Sequence, residues 1–92
     1  MKKFRVKGAL SGGFGGVDNV EWKEVTAKNI DEALDIAYEM ACEEYDMYDG
    51  MHGLRGIDDI MFEEDVSIQE AEEIWCEERE GWLDFIAEEI LE

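Results

Sequence analysis

His52, Cys42 and Cys76 are the residues of this chain whose side chains could act as nucleophiles or bind a transition metal. Sites built on such residues usually show short ligand spacings, such as Cys-x-x-Cys or His-Glu-x-x-His. Neither spacing occurs in the sequence. We therefore predict no catalytic residue, no metal site and no cofactor. His52 is assigned to a loop, and both cysteines are assigned to packing positions on helices.

The many carboxylates suggest two further functions, calcium binding and glycoside hydrolysis. An EF-hand needs Asp-x-Asp-x-Asp-Gly followed by a glutamate at loop position 12. The acidic segment from Asp46 to Asp65 does not contain that order. A glycosidase needs two carboxylates on either side of a substrate cleft, and a chain of 92 residues leaves little room for one. The sequence therefore predicts a protein that is not an enzyme.

A glycine-rich segment, residues 11–16, suggests a phosphate-binding loop. It lacks the Lys-Ser/Thr pair of such loops, and the pattern that follows it is a strand rather than a helix. We interpret it as a hairpin turn. Phe14 stands at the tip of that turn and is a candidate aromatic anchor for a partner. The alternative is that its ring folds back over the hairpin.

The acidic residues follow the helical period. At 100° per residue they form two rows, each within an arc of about 80°, opposite the apolar positions of the same segments. The first row contains Glu32, Asp35, Glu39, Glu43 and Asp46, and the second contains Glu70, Glu73, Glu77, Glu80, Asp84 and Glu88. Glu44, Glu78 and Glu89 project instead toward the apolar sides. Each row is a candidate partner-binding surface.

The net charge defines the chemistry of that partner. The chain carries 26 acidic residues against 8 Lys and Arg, a net charge of −18. Residues 1–28 contribute +3 and residues 29–92 contribute −21. Such a surface excludes direct binding of nucleic acid or of an anionic membrane, because both require a basic footprint. Like charges at i,i+4 also destabilise a helix, and a basic partner would offset that repulsion.

The secondary-structure pattern predicts an α+β fold, with residues 1–92 forming a single compact acidic domain. Residues 3–10 alternate as a half-buried strand, and a second strand at about 18–26 completes an N-terminal hairpin. Asn29 caps a helix over residues 30–48, and Ser67 caps one that runs to about residue 91. These two amphipathic helices cover the apolar face of the sheet.

Two details of the pattern are less defined. Residues 57–62 suit either a helical turn or a short strand, and the strand would extend the hairpin to a three-stranded antiparallel sheet. Trp22, Trp75 and Trp82 each fall on the apolar side of their segment, so we expect all three to be largely buried. Two cysteines and the lack of a long apolar run favour a cytoplasmic protein with reduced thiols.

The junction Ala27-Lys28-Asn29-Ile30-Asp31-Glu32-Ala33-Leu34, which follows the predicted hairpin, resembles small β-β-α proteins encoded by phages and mobile elements. The size and acidity of the chain are similar to those of phage inhibitors that mimic DNA, including some anti-CRISPR proteins and inhibitors of restriction enzymes. That similarity is one of composition. It implies a non-catalytic inhibitor that binds the basic nucleic-acid-binding surface of a host defence enzyme in the bacterial cytoplasm.

An alternative function is a protein-binding adaptor or a homo-oligomer, with the acidic residues serving mainly solubility. The contact would then be the β-hairpin or its Phe14 tip. In a homo-oligomer, the basic outer strand face could meet the acidic helices of a second copy. This face comprises Lys3, Arg5, Lys7 and Lys23.

Overall fold

The central strand of the sheet is β1, and its alternating residues decide how the rest of the chain packs. The computed structural model describes residues 1–51 and 53–91, so His52 and the loop position assigned to it lie outside the described residues. The elements are β1 (Lys2–Leu10), β2 (Lys23–Ala27), α1 (Ile30–Tyr48), α2 (Ile57–Glu64), α3 (Ile68–Trp82) and β3 (Leu83–Glu89). The α+β class and the N-terminal hairpin are confirmed. The sheet is antiparallel with strand order β2-β1-β3.

β1 has an apolar face and a basic face, as its alternation predicts. Phe4 and Val6 are buried, whereas Lys3 and Arg5 are exposed. Phe4 lies opposite Val25 of β2, and Val6 lies opposite Ala87 of β3. Val25 and Ala87 pack on the same cluster as Phe4 and Val6. The buried face therefore continues across all three strands, and α1 covers it.

Helix α1 lies close to β1 because the residues between them are small. Ala33, Ala37 and Ala41 are fully buried along one side of the helix. A Cβ atom added to Gly8 of β1 would lie 2.3 Å from the carbonyl oxygen of Ala37 and 2.7 Å from the nitrogen of Ala41. Gly8 is thus the residue that allows the helix backbone to approach the sheet.

The expectation that the last helix runs to residue 91 is wrong. The helix ends at Trp82, and residues 83–89 form β3, which pairs with β1 along its full length. This segment fits either period, because Leu83, Phe85 and Ala87 alternate as well as they fit a helical wheel. Pairing with the open edge of β1 decides between them. It satisfies backbone groups of both strands and brings Phe85 and Ala87 into the core.

The structure also decides the segment left open between helix and strand, and it corrects the start of the second strand. Residues 57–64 are helical as α2, so the third strand of the sheet is β3 and not residues 57–62. The second strand begins at Lys23 rather than near residue 18, because residues 12–14 and 16–19 form two 3-10 turns. Gly15 and Gly16 have φ values of 90° and 66° there, in the left-handed region that glycine adopts without strain.

Helices α2 and α3 pack against each other as an arm with little apolar core. Ile60 is the buried residue of α2, and Ala71 is that of α3. Arg55 precedes the arm and pairs with carboxylates of both helices. Its Nη1 lies 2.8 Å from Glu63 Oε2, and its Nε donates to Glu78 Oε1 at 3.1 Å. Charge therefore contributes to holding together helices that bury few side chains.

The three tryptophans are mostly but not fully buried. Trp75 and Trp82 pack on a second core cluster, which is formed by Leu10, Tyr45 and Leu54. Trp22 lies on the opposite face of the sheet, with its ring centre 4.4 Å from the Arg5 guanidinium carbon. Its ring covers the cations of β1 instead of packing in the core. Trp22 precedes the first residue of β2, Lys23, so it does not follow the alternation of that strand. Among the described residues, no helix is both long and apolar enough to cross a membrane.

Candidate acidic interface

The first acidic row keeps its predicted place on α1. Asp35, Glu39, Glu43 and Asp46 are exposed, and none of them has an ion pair or hydrogen bond with another described side chain. Helix α1 contains no Lys or Arg that could neutralise them. Glu32 has a different role. It is half-buried, and its Oε1 accepts a hydrogen bond at 3.3 Å from the backbone nitrogen of Lys28, the residue before the N-cap Asn29.

The second row lies on α3 only as far as the helix continues. Glu70, Glu73 and Glu77 are exposed. Glu80 is also exposed, but it accepts a hydrogen bond from the Tyr38 hydroxyl of α1. This hydrogen bond, followed by burial, raises the pKa of Tyr38 to about 12, since both favour the neutral phenol. Glu80 therefore connects the two helices that carry the rows.

Asp84 and Glu88 do not belong to the α3 row, which corrects the sequence prediction. Both lie on β3, and both have partners within the chain. Asp84 Oδ2 accepts a hydrogen bond from the Val17 nitrogen at 2.9 Å and so attaches the second 3-10 turn to the sheet. Glu88 accepts one from Arg5 Nε at 2.9 Å. The strand period of two places these carboxylates on the outer face of the sheet.

The end of α3 at Trp82 shortens the second row. From Glu70 to Glu80 it spans roughly 15 Å, and the α1 row from Glu32 to Asp46 spans roughly 21 Å. Each row thus has about one carboxylate per ~4–5 Å, compared with one phosphate charge per ~1.7 Å of duplex DNA. Side by side, the two rows would have one carboxylate per ~2–2.5 Å, which is roughly three-quarters of that density. The molecule is elongated, with extents of 54 × 25 × 16 Å.

The exposed aromatic residue is Phe62 rather than Phe14. Phe14 is half-buried, and its ring centre lies 5.2 Å from that of Tyr48 and 6.0 Å from that of Trp82. The ring therefore folds back onto the body of the protein. Phe62 of α2 is 89% exposed. The sequence pattern does not predict that Phe62 is exposed, because its segment fits both a helix and a short strand.

The basic outer face of the sheet is partly engaged within the chain. Arg5 pairs with Glu88 on this face. The Trp22 ring covers Arg5 and also Lys7, whose nitrogen is 4.8 Å from the ring centre. Lys23 does not belong to this face, because it lies opposite Val6 in the register of the sheet. A second copy that bound this face through its acidic helices would have to compete with Glu88 for Arg5.

Two further features were missed at the sequence level. Arg55 joins Glu63, Glu64 and Glu78, and the only signal for it was a single cation within a long acidic region. Asp49 is the C-cap of α1. Burial raises its pKa, and so does the charge of three neighbouring aspartates, of which Asp46 is the nearest in sequence.

The described residues contain no group of three or more His, Cys, Asp or Glu arranged to hold a metal ion. The comparisons with known proteins are also empty. No family model, no curated protein and no solved structure matches the chain.

Proposed function

We propose that this chain is a non-catalytic inhibitor that binds the basic nucleic-acid-binding surface of a host defence enzyme. In this proposal the carboxylates of α1 and α3 take the positions of DNA phosphates, and the protein acts in the bacterial cytoplasm. The acidic rows steer the enzyme into encounter and then occupy its nucleic-acid channel.

The observation that supports this proposal is that most of the row carboxylates have no ion pair or side-chain hydrogen bond among the described residues. They are Asp35, Glu39, Glu43 and Asp46 on α1, and Glu70, Glu73 and Glu77 on α3. The ion pairs between described residues involve Lys2, Arg5 and Arg55, none of which reaches the α1 row. The chain therefore maintains exposed like charges along α1 and the first half of α3 without neutralising them. An external cationic surface would relieve that repulsion on binding.

The alternative function, an adaptor that binds through its hairpin tip, has less support. Its candidate anchor, Phe14, packs on Tyr48 and Trp82 inside the chain. Burying that ring in a partner would require the tip to detach from the second core cluster. The acidic rows have no such cost, because their carboxylates already face solvent.

Displacement of proteins from DNA tests the proposal directly. A bacterial lysate is bound to a duplex-DNA resin and eluted with increasing concentrations of the purified chain. The parent chain should release a defined set of basic DNA-binding proteins. The variant Glu39→Gln/Glu43→Gln/Glu77→Gln should release at least about tenfold less at the same salt concentration of about 50 mM, at which the proteins stay bound to the DNA resin by themselves.

The matched control removes the same number of charges elsewhere. Asp18→Asn/Glu21→Gln/Glu24→Gln neutralises three exposed carboxylates outside the rows and should elute the same proteins as the parent. If both triple variants release less protein from the resin to the same extent, the effect follows from total charge alone. Equal elution by the parent and the row variant would sink the proposal.

A further inference from the structure

A small cavity lies where the last turns of α1 meet the end of β1 and the 3-10 turns. Its volume is about 170 Å³. The walls are mostly apolar and include Leu10, Val20 and the rings of Phe14 and Tyr48. Binding sites for drug-sized ligands measure roughly 300–1,000 Å³, so this cavity has room for a single side chain only.

Two side chains of the lining, Glu44 and Asn19, offer hydrogen-bond acceptors to a ligand. Glu44 of α1 is half-buried in the lining, and no described residue gives it an ion pair or a hydrogen bond. Asn19 also lines the cavity, and its Nδ2 already donates to the Phe14 carbonyl at 3.1 Å. The amide oxygen of Asn19 remains as an acceptor. A complementary ligand must therefore bring hydrogen-bond donors and positive charge.

The position of Glu44 on its helix supports this interpretation. It lies next to Glu43 of the acidic row but projects toward the apolar side of α1. A ligand that fits both this carboxylate and the walls beside it must carry a cation together with apolar surface. Glu43 faces solvent and does not line the cavity. The two adjacent glutamates thus differ in environment while carrying the same charge.

We infer that this cavity binds an arginine side chain of the basic partner. The guanidinium would pair with the Glu44 carboxylate and stack on Tyr48 or Phe14, while its methylene groups lie against Leu10 and Val20. The planar fork of arginine suits a carboxylate beside an aromatic ring better than the compact ammonium of lysine. The inference rests on the proposed function and adds a specific contact to it, because the acidic rows attract while this cavity fixes the register.

Titration with a small probe tests the cavity without the partner. N-acetyl-arginine methylamide is added to the labelled chain, and amide chemical shifts are followed by NMR. We expect saturable shifts at Leu10, Val20 and Tyr48. The lysine analogue should bind at least about threefold more weakly, and the uncharged citrulline analogue should produce no saturable shift.

Two glutamine variants separate a cavity from diffuse attraction. Glu44→Gln should weaken arginine binding at least about tenfold. Glu21→Gln removes the same charge from an exposed residue next to Val20 and outside the acidic rows, and it should stay within about twofold of the parent. The spectra themselves report whether each variant is folded. Equal weakening in both variants, or no saturable shift in the parent, overturns the inference.

The outcomes distinguish the cavity from the proposed function. If the parent chain does not bind the arginine probe but still displaces proteins from the DNA resin, the inference about the cavity is refuted and the inhibitor proposal stands. If the chain binds the arginine probe saturably but displaces no protein from the DNA resin, the inference about the cavity stands and the DNA-mimic role is refuted. Tyr48→Leu provides a second test, because it keeps an apolar wall and removes the ring. It should weaken the arginine probe more than the lysine probe.

Discussion

Helix α1 and the α2–α3 arm carry similar densities of acid but are held in place by different means. α1 buries Ala33, Ala37, Ala41 and Tyr45, and its backbone approaches β1 across Gly8. The arm buries Ile60 and Ala71, and its two helices are joined by the ion pairs of Arg55. The first region thus depends on close packing and the second depends more on charge.

This difference bears on how the acidic surface can work. Close packing is insensitive to salt, so the α1 row stays in place under conditions that screen charge. The arm meets α1 through the Tyr38–Glu80 hydrogen bond and the contact between Trp75 and Tyr45, whose ring centres are 5.9 Å apart. We expect the geometry of the α3 row relative to α1 to vary more than the geometry of either row alone.

The largest effect should come from closing the gap between α1 and β1. Gly8→Ala places a Cβ 2.3 Å from the Ala37 oxygen, so the helix must move, and we expect a loss of about 2–3 kcal/mol in urea unfolding. Gly81→Ala is the matched control. Gly81 lies in α3 with no atom within 4 Å of its added Cβ, so the same change should stabilise by up to ~1 kcal/mol. An unchanged midpoint for Gly8→Ala would contradict the close approach.

Removing the arm's cation should loosen the arm while α1 stays protected. Arg55→Ala leaves Glu63, Glu64 and Glu78 facing one another without a cation. Amide hydrogen exchange should then accelerate in α2 and α3 but remain slow in α1. Arg5→Ala removes an exposed arginine paired with Glu88 and serves as the control, with no effect on the arm. Uniform acceleration in all three helices after Arg55→Ala would refute the distinction.

The contact between the two regions should fail at alkaline pH. The pKa of Tyr38 is raised to about 12 from the ordinary value of 10.0. Its contribution to stability is therefore complete below pH 10 and is lost as the pH rises from about 10 to about 12. Tyr38→Phe should lower the melting temperature at neutral pH and flatten this decline. A parallel decline in the variant would show that Tyr38 is not the group responsible.

The smallest effect concerns the junction after α1. The raised pKa of Asp49 means that its ionised form is disfavoured by burial and by Asp46, and it also lies at the negative end of the helix dipole. Such a group contributes stability at low pH and loses it as the pH rises. Asp49→Asn should therefore raise the melting temperature at pH 7, by an amount that shrinks toward pH 4.

Asp31→Asn makes the same change at the opposite end of α1 and is the control for the Asp49 variant. Asp31 lies in the first turn, where a negative charge favours the helix dipole. Its neutralisation should lower stability by a few tenths of a kcal/mol. The interpretation of Asp49 would not hold if both variants shifted the melting temperature in the same direction.

The sequence alone determined the features that depend on local residues. The alternation of β1 and the caps at Asn29 and Ser67 are as predicted, because each depends on neighbours a few residues away. The start and end of α1 also agree with its hydrophobic period. The same locality placed Asp35, Glu39, Glu43 and Asp46 on one exposed face of that helix.

Only the tertiary structure decided what residues 83–89 would become and where their carboxylates would lie. Their pattern fits both a helix and a strand, and pairing with β1, some eighty residues earlier in the chain, selects the strand. That choice removes Asp84 and Glu88 from the acidic row and gives them partners at Val17 and Arg5. The fold of Phe14 onto Tyr48 and Trp82, and the cavity beside Glu44, are likewise contacts between distant segments, which no local period encodes.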